Sequence, residues 1–168
     1  MSNFSYGDFF LKEMESEVPA SRHCLERIPE SLFEYKPHEK SMKMGYLALL
    51  VAEIPNWLTV ALEDGLIDFA TFTHFQPKNT AELVAHLDEN VEKAKKALQN
   101  ATEETFAKKF ELKNNGQLLF AVPMIPNISS TINHWVHHRG QLTVYMRLND
   151  IAVPSIYGPS ADDKNFQL

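Results

Sequence analysis

Residues 129–149 read SSTINHWVHHRGQLTVYMRLN, and the pattern within this stretch is the strongest guide to the fold. The stretch is long, contains no proline and carries apolar residues on several sides, which predicts a long and largely buried helix. At 100° per residue, four polar side chains fall on one stripe of that helix: His134, His138, Gln141 and Tyr145. We therefore expect the last helix to be the most buried one and to carry a polar stripe.

The polar stripe is bordered by apolar residues on the same helix, namely Leu142, Val144 and Leu148. The solvent-exposed face of an amphipathic helix is polar across its width, whereas this stripe lies between apolar residues. We therefore expect His134 and His138 to face a shared internal cavity or a polar seam.

Two imidazoles one helical turn apart can bind one divalent ion such as zinc or nickel. His134 and His138 have this spacing, and Glu53 on an earlier helix is a candidate third ligand or general base. The alternative for the two histidines is a hydrogen-bonded pair beside a loop or at a subunit contact. The alternative for Glu53 is a solvated or ion-paired acid.

Three further side chains of residues 129–149 are candidate substrate-binding groups. Arg139 could hold an anionic substrate, or it could form an ion pair with another helix. Gln141 and Tyr145 are expected to line the same cavity as the histidine pair. His137, by contrast, is expected to support the pair or to lie on the surface.

Other reactive side chains have weaker patterns. Cys24 is the single cysteine, so no intrachain disulfide can form, and a small buried hydrophobe is its ordinary role. Four histidines have no partner at ligand spacing: His23, His38, His74 and His86. We do not expect any of these residues to act in a site.

Three earlier segments also have helical periodicity: 6–27, 42–62, and a segment that begins after Asn79 and continues to Leu98. Asn79 and Glu82 have the spacing of a capping box at the start of the third helix. Pro19 should kink or break the first helix, and Pro55 should kink the second because it cannot donate to the carbonyl of Val51. The sequence thus predicts an all-α fold, a four-helix bundle.

The connections add three expectations. Residues 63–78 are long enough to return along a helix, so the second and third helices could run parallel. Asn115-Gly116 between alternating apolar residues predicts a short β-hairpin before the fourth helix. Residues 153–160, which contain Pro154, Gly158 and Pro159, predict an extended C-terminal tail that lies over the helices.

Bulk composition favours one soluble domain over residues 1–168. The chain has 44% hydrophobic residues and a net charge of −6, which disfavours a nucleic-acid surface because such surfaces need clustered cations. The longest apolar run ends at Glu53, short of the roughly 20 residues that cross a membrane, and no signal peptide is recognisable. We expect a cytoplasmic protein without a nucleic-acid or membrane partner.

Several segments resemble the DinB/YfiT-like superfamily: YKPHEKSM at 35–42, LALLVAEIPNW at 47–57, HWVHHRGQL at 134–142 and SIYGPS at 155–160. The resemblance implies a four-helix bundle with parallel second and third helices, commonly a homodimer. In many members a divalent metal is bound by three histidines. Two of these match His134 and His138, whereas the third matches Leu50, which has no donor atom.

The resemblance implies two classes of function. One is a metal-dependent hydrolase or thiol transferase with an incomplete three-histidine site in a cavity between helices two and four. The other is a non-catalytic bundle that has lost its metal and binds a small ligand or has a structural role. The sequence does not decide whether the protein is an enzyme, although Leu50 favours the second class.

Overall fold

A computed structural model of the protein describes residues 4–164. Within this range the chain forms five helices and three strands, and a single 3-10 turn at Glu30–Leu32 precedes the second helix. In chain order the elements are α1 (Tyr6–Leu25), α2 (Met44–Glu63), β1 (Leu66–Asp68), α3 (Thr80–Asn100), α4 (Glu103–Ala107), β2 (Lys109–Asn114), β3 (Gln117–Pro123) and α5 (Met124–Leu148).

Each of the four predicted helical segments is helical, with altered ends. The side chain of Asn79 caps α3 by accepting from the backbone N–H of Glu82 at 2.9 Å. Helix α1 continues through Pro19 to Leu25, so the proline does not break it. Helix α5 begins at Met124 and not near residue 129, because Pro126 lies in the first turn, where a missing N–H costs no helical hydrogen bond.

The most buried helix is α2 and not the last helix, which corrects the expectation from the sequence. Fourteen of the 20 residues of α2 are buried, against eight of the 25 residues of α5. By length and composition α2 could cross a membrane, but 72% of its most apolar 18-residue window is buried inside the fold. Its hydrophobicity is therefore that of a core helix.

Pro55 lies inside α2 and cannot donate to the carbonyl of Val51, as the sequence predicts. The indole Nε1 of Trp135 donates to that carbonyl at 2.7 Å. The carbonyl that the proline leaves without a helical donor thus accepts its hydrogen bond from α5. The side chain of Asn90 on α3 also donates to α2, at the next carbonyl, that of Ala52, at 3.0 Å.

The small sheet makes the prediction of an all-α fold too simple. Strands β2 and β3 form the predicted hairpin, and Asn115 and Gly116 have the positive φ angles, 50° and 77°, of a type I′ turn. Strand β1 was not predicted and pairs parallel to β2, giving the order β1-β2-β3. The sequence predicts that buried and exposed residues alternate along β3. They do not alternate, since Leu118, Leu119 and Phe120 are all about half exposed.

The parallel arrangement of the second and third helices remains a prediction. The first residue of α3, Thr80, bonds to Ile28 and Glu30, while Gly45 at the start of α2 packs against Phe33. Both helices therefore start near the same short segment, residues 28–33.

Candidate functional site

A pocket of about 340 Å³ lies between α2, α5 and the sheet. Tyr46, Leu50 and Trp57 line it from α2, at the three-and-four spacing that places residues on one face of a helix. The residues that line it from α5 have the same spacing and are Asn127, Ser130, Thr131 and His134. The volume is within the range of small-molecule sites.

The remaining wall of the pocket is almost entirely apolar. It is formed by the sheet and by the link between β1 and α3. These residues are Ile67, Phe69, Phe72, His74, Phe110, Leu112 and Phe120. Among residues 4–164 no lysine or arginine lines the pocket.

His134 and His138 form a hydrogen-bonded pair at one edge of this pocket. Their Nε2 atoms are 2.7 Å apart, and Nδ1 of His138 is 2.8 Å from Oε1 of Gln141. The amide oxygen accepts from Nδ1–H, which leaves Nε2 of a neutral His138 as an acceptor for His134. Gln141 therefore orients His138, which orients His134 at the pocket wall.

The environment of this pair favours neutral imidazoles. Burial lowers the pKa of His134 below its ordinary value, and charges on His138 and His137 would lower it further. Burial also lowers the pKa of His138, although the hydrogen bond to Gln141 opposes that shift. Neutral imidazoles keep the lone pairs that a ligand or metal ion needs.

The pair fits only part of the metal site that the family resemblance implies. Two nitrogens bound to one tetrahedral zinc ion lie roughly 3.3 Å apart, so a small movement would admit an ion between His134 and His138. Leu50 lines the pocket but offers no donor atom. Among residues 4–164 no group of three His, Cys, Asp or Glu side chains is close enough to bind a metal. The residues present therefore do not fit a complete three-ligand catalytic centre.

Glu53 is not beside the histidine pair as a third ligand. It is only 2% exposed, and its Oε1 is 2.7 Å from Nδ1 of His74. The other oxygen, Oε2, accepts from the backbone N–H of Phe75 at 3.3 Å. Glu53 is therefore paired and not solvated, and its hydrogen-bond partner is a histidine for which we expected no role.

Arg139 lies outside the pocket and is 1% exposed. Its guanidinium is 2.6 Å from the carboxylate of Glu17 and also bonds to Ser21 and to the hydroxyl of Tyr157. The structural ion pair is therefore the role that its contacts support, and we do not include Arg139 in the ligand site.

The structure corrects two other expectations for the polar stripe of α5. The hydroxyl of Tyr145 donates to the carbonyl of Met42 at 3.2 Å, so Tyr145 joins α5 to the segment before α2 and does not line the pocket. Of the three bordering residues only Leu142 is buried, whereas Val144 and Leu148 are each 57% exposed. His138 is thus buried but does not line the pocket, whereas His134 lines the pocket and is exposed, so the two imidazoles do not both face an internal cavity.

The residue that the sequence analysis missed is His74. A helical-spacing criterion cannot find it, because it belongs to the link and its partner Glu53 is 21 positions away. One signal in the sequence could have indicated it, namely the phenylalanines around it at positions 69, 72 and 75. A solvent-exposed loop is usually poor in aromatic residues, so these suggest that the link packs against the fold. Cys24, by contrast, is buried as expected, and burial raises its pKa to about 11, which makes it inert.

Comparisons with known proteins agree with this architecture. The chain is 27% identical over 172 residues to the uncharacterized protein YrdA of Bacillus subtilis, covering 93% of this chain and 90% of that protein. Two crystal structures share the fold. One is a DinB-like protein from Bacillus subtilis, YjoA, with a TM-score of 0.66 and 20% identity over 84% of this chain and 92% of that one.

The other is a DinB-like protein from Bacillus cereus, with a TM-score of 0.68 and 21% identity, which covers 89% of this chain and 97% of that chain. The sequence model of the DinB family matches residues 1–165. The chain therefore belongs to the DinB family.

Proposed function

We propose that this DinB-family protein binds a small, largely apolar molecule in the pocket between α2, α5 and the sheet. The observation that carries this proposal is Trp57, which lines the pocket. Its indole Nε1 is buried and has no hydrogen-bond partner among residues 4–164. A buried donor without a partner costs free energy, so a movement of the indole that brings this N–H to a molecule bound in the pocket would be favoured.

The walls agree with an apolar ligand that has a small polar part. Six aromatic residues line the pocket, while its polar groups are few and lie mainly on α5. Such a combination gives affinity through apolar burial and orientation through a few hydrogen bonds. His134 is the polar group whose position is fixed best, because His138 and Gln141 hold it.

Titration with phenethyl alcohol, followed by tryptophan fluorescence and by calorimetry, tests the proposal. Ser130→Phe adds a ring at the pocket wall and should weaken binding about tenfold or more by occupying the ligand volume. Asn133→Phe is the matched control, because Asn133 is exposed on the same helix and does not line the pocket. Absence of saturable binding, or equal loss in both variants, would contradict the proposal.

A second candidate function is a metal-dependent hydrolase or thiol transferase. The converging Nε2 atoms of His134 and His138 favour it, because two imidazoles are a common start of a zinc or nickel site. Against it stands Leu50 at the third position. Elemental analysis of untagged protein distinguishes the two: a stoichiometric metal supports the enzyme, and its absence supports the binding protein. A cytoplasmic location and a homodimer belong to either proposal.

A further inference from the structure

Glu53 and His74 form a carboxylate–imidazole pair at the wall of the pocket, with Glu53 buried and His74 half-buried. Glu53 is 2% exposed, while the His74 ring forms part of the pocket wall. The 2.7 Å contact of Nδ1 with the carboxylate fixes the orientation of the imidazole. The backbone N–H of Phe75 fixes the carboxylate in turn, so neither group is free to rotate away.

The other nitrogen of His74 is available to a ligand. A neutral imidazole that donates Nδ1–H to a carboxylate presents Nε2 as an acceptor. Among residues 4–164 no hydrogen-bond partner of this Nε2 is present, and it is not an enclosed atom. The rings of Tyr46 and Phe72 lie edge-on to His74, with centroids 5.8 and 5.3 Å away, so the His74 imidazole lies among aromatic rings.

The charges around the pocket favour a cation over an anion. In the part of the chain that the structure describes, no lysine or arginine lines it, the carboxylate of Glu53 lies directly behind one wall, and the chain has a net charge of −6. Aromatic walls add to this preference, because aromatic faces attract ammonium groups. From these features we infer that the ligand is an amine whose protonated nitrogen donates to Nε2 of His74, with Glu53 supplying the compensating charge through the imidazole.

Trp57 would favour an acceptor on the ligand instead, but its unpaired indole N–H is enclosed and reaches the pocket only if the ring moves. A hydrogen bond that involves a charged group is roughly twice as strong as one between neutral groups. Both contacts would be of this kind, but only the ammonium contact to the Glu53–His74 pair forms without moving an enclosed side-chain atom and lies beside an opposite charge. An anionic ligand would gain the indole contact but would lie close to the charge of Glu53.

The inference rests on the proposed function and is tested by three probes of similar shape: phenethylamine, phenethyl alcohol and hydrocinnamate. At neutral pH the first is a cation, the second is neutral and the third is an anion. We expect phenethylamine to bind about tenfold or more tightly than hydrocinnamate. If no probe binds, both the proposed function and this inference fail. If all three bind with similar affinity, or hydrocinnamate binds best, only this inference fails.

Variants locate the preference within the pocket. Glu53→Gln should weaken phenethylamine binding about tenfold while it changes phenethyl alcohol binding little. Glu63→Gln changes the net charge equally on the same helix but is exposed and distant from the pocket wall, so it should leave both probes unaffected. Equal effects of the two variants would overturn the inference.

His74→Leu provides a second test if Glu53→Gln folds poorly. Because loss of His74 alone would leave the buried Glu53 carboxylate paired only with the N–H of Phe75, His74→Leu is made together with Glu53→Leu, which replaces the whole pair by apolar side chains. The double variant keeps an apolar wall but removes Nε2, and the preference for the cationic probe over the neutral one should disappear. A preference that persists in the double variant would show that the ammonium does not bind to this pair.

Discussion

Pro55 and Trp135 illustrate how one residue can require another that is distant in sequence. The proline leaves the carbonyl of Val51 without its helical donor, and the indole of Trp135, 84 positions later, supplies one. A buried carbonyl without a partner would cost free energy, so the two residues stabilise each other's positions. The contact joins α2 to α5 next to Leu50, and it thereby fixes one side of the pocket.

Leu50→His should create the three-nitrogen metal site that the protein lacks. Leu50 and His134 line the same pocket, and a ligand on a rigid neighbouring helix adds a metal bond without ordering a loop. An imidazole in this apolar position should destabilise the metal-free protein by about 1 to 3 kcal/mol. Zinc or nickel should offset this loss, which calorimetric titration and thermal melting with and without metal will measure.

Leu49→His is a control for this prediction, because it makes the same substitution at another buried leucine of α2 that does not line the pocket. Only the Leu50 variant should bind the ion more tightly than the parent. Equal metal affinity of the parent and Leu50→His would show that Leu50 does not occupy the third ligand position.

The histidine pair should make stability depend on pH in one direction. Because the pKa values of His134 and His138 are lowered in the folded state, the unfolded chain binds more protons than the folded one just below the ordinary value of 6.5. The free energy of unfolding should therefore be highest above this value and should fall as the pH decreases through and below it. Urea denaturation across this range measures the effect.

The variant with His134→Gln and His138→Gln together should lose part of that dependence, since glutamine does not titrate. His86 retains its own burial-lowered pKa, so some dependence should remain in the variant. An unchanged slope of stability against pH would mean that the pair does not contribute.

At the scale of the elements, two glycines have opposite roles. A Cβ on Gly7, near the start of α1, would lie 2.5 Å from the backbone oxygen of Leu98 on α3. A Cβ on Gly140, in α5, would have no neighbouring atom within 4 Å. Gly7 thus permits the close approach of two helices, whereas close packing does not explain the glycine at position 140.

Alanine at these two positions should change stability in opposite directions. Gly7→Ala must separate α1 from α3 and should lower the melting temperature. Gly140→Ala should raise stability by about 1 kcal/mol, the usual gain for alanine over glycine in a helix. Thermal and urea unfolding of both variants will measure these changes. A loss of stability in Gly140→Ala would indicate that this face of α5 is covered by a partner.

The tail is connected to the helices by a buried polar network. Tyr157 donates to the carboxylate of Glu17 and accepts from Arg139, so the segment after α5 is joined to both α1 and α5. Arg139 is buried as a pair and not as an isolated charge, which is the condition under which a buried guanidinium is tolerated. In this protein the arginine of the HHRG stretch therefore stabilises the architecture.

For the whole molecule we predict a homodimer, which the family resemblance implies. Val144 and Leu148 lie one turn apart on α5 and are each 57% exposed, as an interface residue would be in an isolated chain. Light scattering should give twice the chain mass of 19.2 kDa. Val144→Lys with Leu148→Lys should shift the protein towards the monomer, since lysines at the centre of an interface are costly.

Leu118→Lys with Leu119→Lys on β3 is the comparison, because it removes the same exposed apolar character from another surface. A parent protein that is monomeric at micromolar concentration would contradict the dimer. A dimer that only the β3 variant disrupts would move the interface to the sheet.

The sequence by itself determined the features that depend on neighbours along the chain. The four long helices follow from apolar spacing, the hairpin follows from Asn115-Gly116, and the contact of His134 with His138 follows from their separation by one turn. Helical and turn geometry is local, so spacing alone defines which side chains meet. The family resemblance added Leu50 as the position where a metal ligand is missing.

Only the tertiary structure decided the contacts between distant segments. Arg139 has its partner 122 positions earlier, and Glu53 meets His74 because the link after β1 folds back over α2. Strand β1 has three residues and forms by pairing with β2, so the pattern of its own residues could not predict it. Such contacts depend on how the helices and the sheet pack and not on any local spacing. Packing thus determined which of the polar residues around the pocket can meet a ligand.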